Sequence, residues 1–199
     1  MVFRRRSAVV GLAVLALAGC GGGGSGPSIP KALQQQLPSA CGGYWQPKTV
    51  ATALGHSPFS HIVGQFDQPA RGHGNCMIYI TLGSSPGSQS DKPYMSLEVD
   101  DEQQADRAAG LLADECNPKQ NKGDQTVTGP DASCAVFRAD PPITALQGGQ
   151  LLVMGTAGGL FLQVTIDGVI GPTGGYPTLD SDRAHGFQLL ADAIAAAKG

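Results

Sequence analysis

Residues 151–166 read LLVMGTAGGLFLQVTI, and this stretch decides the fold class. Two apolar runs, 151–156 and 160–166, flank a short turn of small residues at 157–159. In the second run aliphatic side chains alternate with other residues, which is the pattern of a strand with one buried face. The stretch therefore predicts an antiparallel β-hairpin.

Other segments extend this hairpin into a sheet. Residues 76–82 and 95–99 alternate apolar and polar side chains, and they predict two strands that pair antiparallel. Residues 134–136 predict another strand. The signal between residues 59 and 74 is ambiguous, and Ile62, Val63 and Phe66 could form an irregular strand there.

Three segments have the spacing and end signals of helices, namely 47–54, 101–116 and 180–198. Residues 30–37 have only a thin apolar side and could form a short helix. In the last helix a stripe is predicted to pack on the sheet: Ala184, Phe187, Ala191 and Ile194. The expected fold is α+β, with one antiparallel sheet of about five or six strands, three helices packed on it and two disulfides.

The N-terminus predicts export. Arg4, Arg5 and Arg6 precede the apolar run 8–18, which is too short for a permanent transmembrane helix. The ending Leu-Ala-Gly-Cys at 17–20 resembles the lipobox of bacterial lipoproteins. That resemblance implies cleavage before Cys20 and a diacylglycerol group on its sulfur, whose acyl chains would hold the protein on the extracytoplasmic face of the cell membrane. A plain signal peptide would instead leave Cys20 in the leader.

Domain organisation follows from this interpretation. Residues 1–19 are predicted as signal peptide, 20–40 as a flexible Gly/Pro/Gln-rich tether and 41–199 as one globular domain. Cleavage removes three of 13 basic residues and none of the 16 acidic ones, which leaves a net charge of about −6. This balance argues against a nucleic-acid partner.

Four cysteines remain in the expected mature chain: Cys41, Cys76, Cys116 and Cys134. An even number in an exported protein predicts two disulfides, for which three connectivities are possible. We favour Cys41–Cys76 with Cys116–Cys134, because each bridge then joins elements that are adjacent in sequence.

Candidate catalytic and metal-binding residues are few. Residues 83–87 match G-x-S-x-G, so that Ser85 with His73 and Asp91 could form a hydrolase triad, but loop residues follow where a nucleophile elbow needs a helix. The spacing of the histidines does not predict a metal site. Neither calcium nor a cofactor is expected. The acidic residues near position 101 already have a role at the start of a helix: Glu98, Asp100, Asp101 and Glu102.

Tyr44 and Trp45 are the best candidates for an aromatic contact with a ligand, a glycan or a protein partner. The alternative is that Trp45 closes one end of the core beside Cys41, which is the usual fate of a tryptophan and the outcome we favour.

Several short motifs resemble a family of poorly characterised actinobacterial envelope lipoproteins: Cys41 before a helix ending in Leu54-Gly55, Cys76 opening a strand, and the run 127–132 before the hairpin. That family is similar in layout to the extracellular sensor domains of some actinobacterial Ser/Thr kinases, which carry two disulfides around a cleft. The resemblance covers roughly residues 38–198 and implies the fold and an envelope location.

The expected function is a membrane-anchored, non-enzymatic binding or interaction module. Its partner would be a small hydrophobic ligand, a glycan or an envelope protein. The alternative is a serine hydrolase that acts on envelope material through Ser85.

Overall fold

The structure is a computed structural model that describes residues 28–68, 72–81, 93–120, 124–139, 149–167 and 179–199. The helices of the described part are α1 (Lys31–Ala40), α2 (Pro47–Leu54), α3 (Ala105–Glu115) and α4 (Leu179–Lys198). Its strands are β1 (Phe59–Phe66), β2 (Gly74–Ile80), β3 (Met95–Asp101), β4 (Gln125–Thr128), β5 (Cys134–Ala139), β6 (Gly149–Ala157) and β7 (Leu160–Asp167). The α+β class with one antiparallel sheet is confirmed, although the described residues contain more strands and one more helix than predicted.

The sheet consists of two meanders that meet in its middle. Its seven described strands follow the order β1-β2-β3-β7-β6-β5-β4, and every neighbouring pair is antiparallel. The junction is the β3–β7 pair, where Leu97 lies opposite Val164. The predicted hairpin is confirmed as β6–β7, with Ala157 opposite Leu160 and Gly158 in the left-handed region at φ 61°.

One face of the sheet, which we call the helix-covered face, packs against α1, α2 and α4. Alternate residues of the central strands point into this core and are fully buried, among them Leu97, Val153 and Val164. Leu33 and Leu37 of α1, Val50 of α2 and Leu189 and Leu190 of α4 belong to the same core.

The opposite face, which we call the α3 face, is covered only in part. Leu112 of α3 packs on a small cluster from β5, β6 and β7 that includes Val136, Leu152, Met154 and Phe161. Strands β1 to β3 carry no helix on this face among the described residues. Val63 of β1 is accordingly 54% exposed.

The segment predicted as tether needs correction at its C-terminal end. Residues 31–40 form α1, in which Leu33 and Leu37 are 0% exposed. Two leucines four positions apart lie on the same side of a helix, so even a short apolar side gives α1 a place in the core. The helix therefore belongs to the folded domain.

Two predicted helix features also differ in the structure. Because β3 continues to Asp101 and Gln103 has φ 62°, α3 starts only at Ala105 and its first turn holds a single acidic residue, Asp106. In α4 the residues Ala184 and Ala191 are exposed, whereas Leu189, Leu190 and Ala193 are buried. The alanines surround this helix on all sides, so the leucine pair, and not an alanine stripe, sets the buried face.

The structure contains two disulfides, with the favoured connectivity. Cys41 follows α1 and bonds to Cys76 of β2 in the core under the helix-covered face, with a Cα–Cα distance of 5.1 Å. Cys116 follows α3 and bonds to Cys134 of β5 on the α3 face, with a Cα–Cα distance of 5.9 Å. Each bridge thus ties a helix end to the sheet.

Candidate ligand-binding cleft

The aromatic pair singled out from the sequence lies inside the protein. Tyr44 is 0% exposed and donates a hydrogen bond of 3.0 Å from its hydroxyl to the Gly72 carbonyl oxygen. Trp45 is 2% exposed and donates a 3.1 Å hydrogen bond from Nε1 to the carbonyl oxygen of Leu189. Burial also raises the pKa of the Tyr44 phenol. The ligand-contact role of these residues does not fit the structure, because neither ring reaches the surface.

The histidines have separate local contacts. The His61 ring stacks on Tyr79 with centroids 4.4 Å apart, and Nδ1 of His73 lies 2.9 Å from an Asp67 carboxylate oxygen. Across the described residues, no group of three or more His, Cys, Asp or Glu side chains could hold a metal ion.

The proposed hydrolase triad lies mainly outside the described residues, since these include neither Ser85 nor Asp91. His73 is described, and it is exposed at the surface beside Asp67. The triad therefore stays a prediction from sequence.

A cleft of about 290 Å³ opens on the α3 face, and we call it the α3 cleft. Helix α3 forms one wall, and the turn between β4 and β5 forms another, with β6 between them. Its lining residues are Ala109, Leu112, Ala113, Cys116, Thr128, Ala132, Ser133, Cys134 and Thr156.

The lining of the α3 cleft is apolar with a few hydroxyl groups. Alanine, leucine and disulfide sulfur make most of the surface, and none of the described lining residues is charged. The hydroxyls of Thr128 and Thr156 are the polar groups on the strands. A recess of this chemistry suits a small apolar molecule that carries one or two hydrogen-bonding groups.

Two features hold the walls of the α3 cleft together. The Cys116–Cys134 bridge joins the end of α3 to β5 and is itself part of the lining. In the β4–β5 turn, the consecutive non-glycine residues Asp131 and Ala132 have φ 51° and 56°, a conformation that costs free energy for L-residues. The Ser133 N–H donates to the Pro130 carbonyl oxygen, so Asp131 and Ala132 are the central residues of a type I′ hairpin turn, which brings Ala132 to the cleft.

The turn is also fixed by its neighbours. The Gly129 N–H donates to the Ser133 carbonyl oxygen at 2.7 Å, and a Cβ atom at Gly129 would collide with the Phe187 ring of α4. This close approach explains why glycine stands at 129. Sequence reasoning missed the cleft as a site, although the run 127–132 was among the motifs that carry the family resemblance.

Searches against protein-family models, curated proteins and solved structures find no match to this chain. Across the described part of the chain, none of the helices has the length and apolar character needed to span a bilayer.

Proposed function

We propose that this chain is an actinobacterial-type envelope lipoprotein that is anchored through Cys20 on the extracytoplasmic face of the cell membrane and binds a small, mainly apolar ligand. The binding site is the α3 cleft. The observation that carries the proposal is a recess of about 290 Å³, whose described lining is uncharged and which is bounded by a disulfide and the β4–β5 turn. The sequence features at 4–20 supply the anchor part of the proposal.

The chemistry of the α3 cleft limits the ligand. Its volume is near the lower end of the range for small-molecule sites, so it accommodates a ring system or a short acyl segment. None of the described lining residues carries a charge that could pair with an ionic ligand, so the cleft favours a neutral ligand. The hydroxyls of Thr128 and Thr156 would orient a single polar group of the ligand.

Binding of the neutral fluorescent probe N-phenyl-1-naphthylamine to the full chain tests this function. Ala113→Trp places a large ring in the α3 cleft, and we expect at least about a tenfold loss of probe affinity, since a tenfold change corresponds to 1.4 kcal/mol. Ala105→Trp changes an exposed alanine on the same helix that does not line the cleft, and it should bind the probe like the wild type. Equal binding by both variants, or no binding by the wild type, would contradict the proposal.

The uncovered part of the α3 face favours a second candidate function, contact with an envelope partner protein. Val63 is the exposed large hydrophobic residue of this surface, with Met77 opposite it on β2 and Tyr79 two residues further on. An antiparallel sheet can leave one face in water, so this surface is also compatible with a plain solvent face. For that reason the α3 cleft is our first choice.

A further inference from the structure

A second recess lies on the other side of the molecule, between α2 and α4. These helices run antiparallel: Trp45, just before α2, contacts Leu189 in the middle of α4, and Ser57, just after α2, lies with Tyr94 near Asp182 in the first turns of α4. The solvent side of the helix pair forms a recess of about 310 Å³, which we call the α2–α4 groove.

The α2–α4 groove is lined by hydrogen-bond donors. Its lining residues are Lys48, Thr49, Thr52, His185 and Gln188. Thr52 uses its hydroxyl to donate to the Lys48 carbonyl oxygen at 2.9 Å, and the other four side chains keep donors for a ligand. None of the lining residues that the structure describes is a carboxylate, although the chain as a whole has more acidic than basic residues.

Lys48 differs from Arg107 and Arg138, which are paired with carboxylates, and it is the lysine among the lining residues of the groove. Arg107 lies 3.4 Å from Glu102, and Arg138 lies within 4 Å of both Glu115 and Asp124. Lys48 makes no salt bridge with any residue that the structure describes, so its ammonium group is available to an anion in the groove. An ammonium group beside hydroxyl and amide donors is a common arrangement for phosphate binding.

The backbone at the N-terminus of α2 also contributes positive electrostatic potential. Lys48 and Thr49 lie in the first turn of α2, which contains no acidic residue and has no side-chain cap at Gln46. The N–H groups of this turn are therefore not satisfied by a capping side chain, and the helix dipole places partial positive charge there. The side chains of both helices and the N-terminus of α2 therefore all favour a negatively charged ligand.

We propose that the α2–α4 groove binds a phosphate-type oxyanion, with the Lys48 ammonium as its ionic contact and Thr49, His185 and Gln188 as hydrogen-bond donors. Asp182 lies near His185 and interacts with it electrostatically, so its carboxylate opposes an anion in the groove. The phosphate group could belong to a soluble metabolite or to a lipid headgroup. The site is separate from the α3 cleft and does not depend on the function proposed for it.

Trp45 is the only tryptophan of the chain and reports on this groove, because it precedes α2 and its indole bonds to the residue after Gln188. The test titrates the full chain, in neutral detergent, with inorganic phosphate and separately with dihexanoyl phosphatidylglycerol below its micelle concentration. Zwitterionic dihexanoyl phosphatidylcholine is the control lipid. We expect a saturable change in Trp45 fluorescence with phosphate or with the anionic lipid.

Three variants decide whether the groove is responsible. Lys48→Gln should weaken binding about tenfold, because the variant loses the free energy of one hydrogen bond to a charged group. Lys119→Gln, an exposed lysine outside the groove, should bind like the wild type. Asp182→Asn removes the opposing charge and should strengthen binding, a gain that misfolding would not produce.

The two titrations distinguish the sources of the phosphate group. If only inorganic phosphate gives saturable binding, the natural ligand is a soluble anion. If the anionic lipid binds with higher affinity than phosphate, the ligand is a lipid headgroup. No saturable change with either compound, or equal affinity of wild type and Lys48→Gln, would overturn the proposal.

Discussion

The helix-covered face of the sheet packs against three helices and contains a disulfide whose two cysteines are 0% exposed. Among the residues that the structure describes, the α3 face carries one helix, a much smaller core and a disulfide in which Cys116 is partly exposed. Burial of apolar surface is the main source of folding free energy, so most of the stability comes from the helix-covered face. The α3 face has fewer packing demands, and it can keep a recess such as the α3 cleft.

The two disulfides give the largest expected effects in this comparison. For separations of 35 and 18 residues, loss of chain-entropy restriction alone costs about 4 and about 3 kcal/mol. Cys41→Ala with Cys76→Ala also leaves a void in the larger core, so its cost should exceed the first figure. Urea unfolding of the two double variants measures both losses. If Cys116→Ala with Cys134→Ala lost more unfolding free energy than the other double variant, the α3 face and not the helix-covered face would be the main source of stability.

Matched valine-to-threonine substitutions test the two faces at nearly constant shape. Val153 is 0% exposed under the helix-covered face, and Val153→Thr should cost about 1–3 kcal/mol because it buries a hydroxyl group. Val63 is 54% exposed on the uncovered strands, and Val63→Thr should change stability by less than about 0.5 kcal/mol. Thermal unfolding of both variants gives the difference. If Val63→Thr lowers stability as much as Val153→Thr does, Val63 is buried by another contact in solution.

The smallest effect concerns Asp182 on the helix-covered side. Burial raises the pKa of this carboxyl group, and the nearby His185 opposes the shift. Because the folded state holds the proton more tightly than the unfolded state, ionisation of Asp182 destabilises the fold at neutral pH. Asp182→Asn should therefore raise the melting temperature slightly at pH 7, and the gain should vanish as the pH falls below the ordinary value of 3.8.

Asp100→Asn is the control for this measurement, since Asp100 is exposed on the α3 face and its substitution should hardly change the melting temperature. A loss of stability in Asp182→Asn at pH 7 would show that the interaction with His185 outweighs the cost of burial.

Strands β2, β3 and β7 are predictable from sequence because one buried face imposes alternation on them, whereas β6 is marked by a continuous apolar run because both of its faces are buried. Strand β4 was missed, since it lies at the sheet edge and Val127 is the only aliphatic residue among its four. Helix α1 was assigned to the tether because two leucines, 33 and 37, were too few to show that it packs. In both elements the tertiary contact, and not the local pattern, decides the structure.

Neither candidate site could be predicted in the same way. The α3 cleft combines Ala113, Ala132 and Thr156 from three separate elements, and nothing local marks them as neighbours. The left-handed conformation of Ala132 is imposed by the surrounding structure, since alanine has no preference for it. Lys48 and His185 likewise meet only because two distant helices pack together.

The position of β7 between β3 and β6 has a consequence for how the chain matures. The last described strand in sequence, β7, forms the centre of the sheet, so the inner edge of β3 has no partner until residues 160–167 have been synthesised. An unpaired strand edge is a site for association with other chains. A growing chain therefore exposes this edge from the completion of β3 at Asp101 until β7 is available, and closure of the sheet is a late, long-range event.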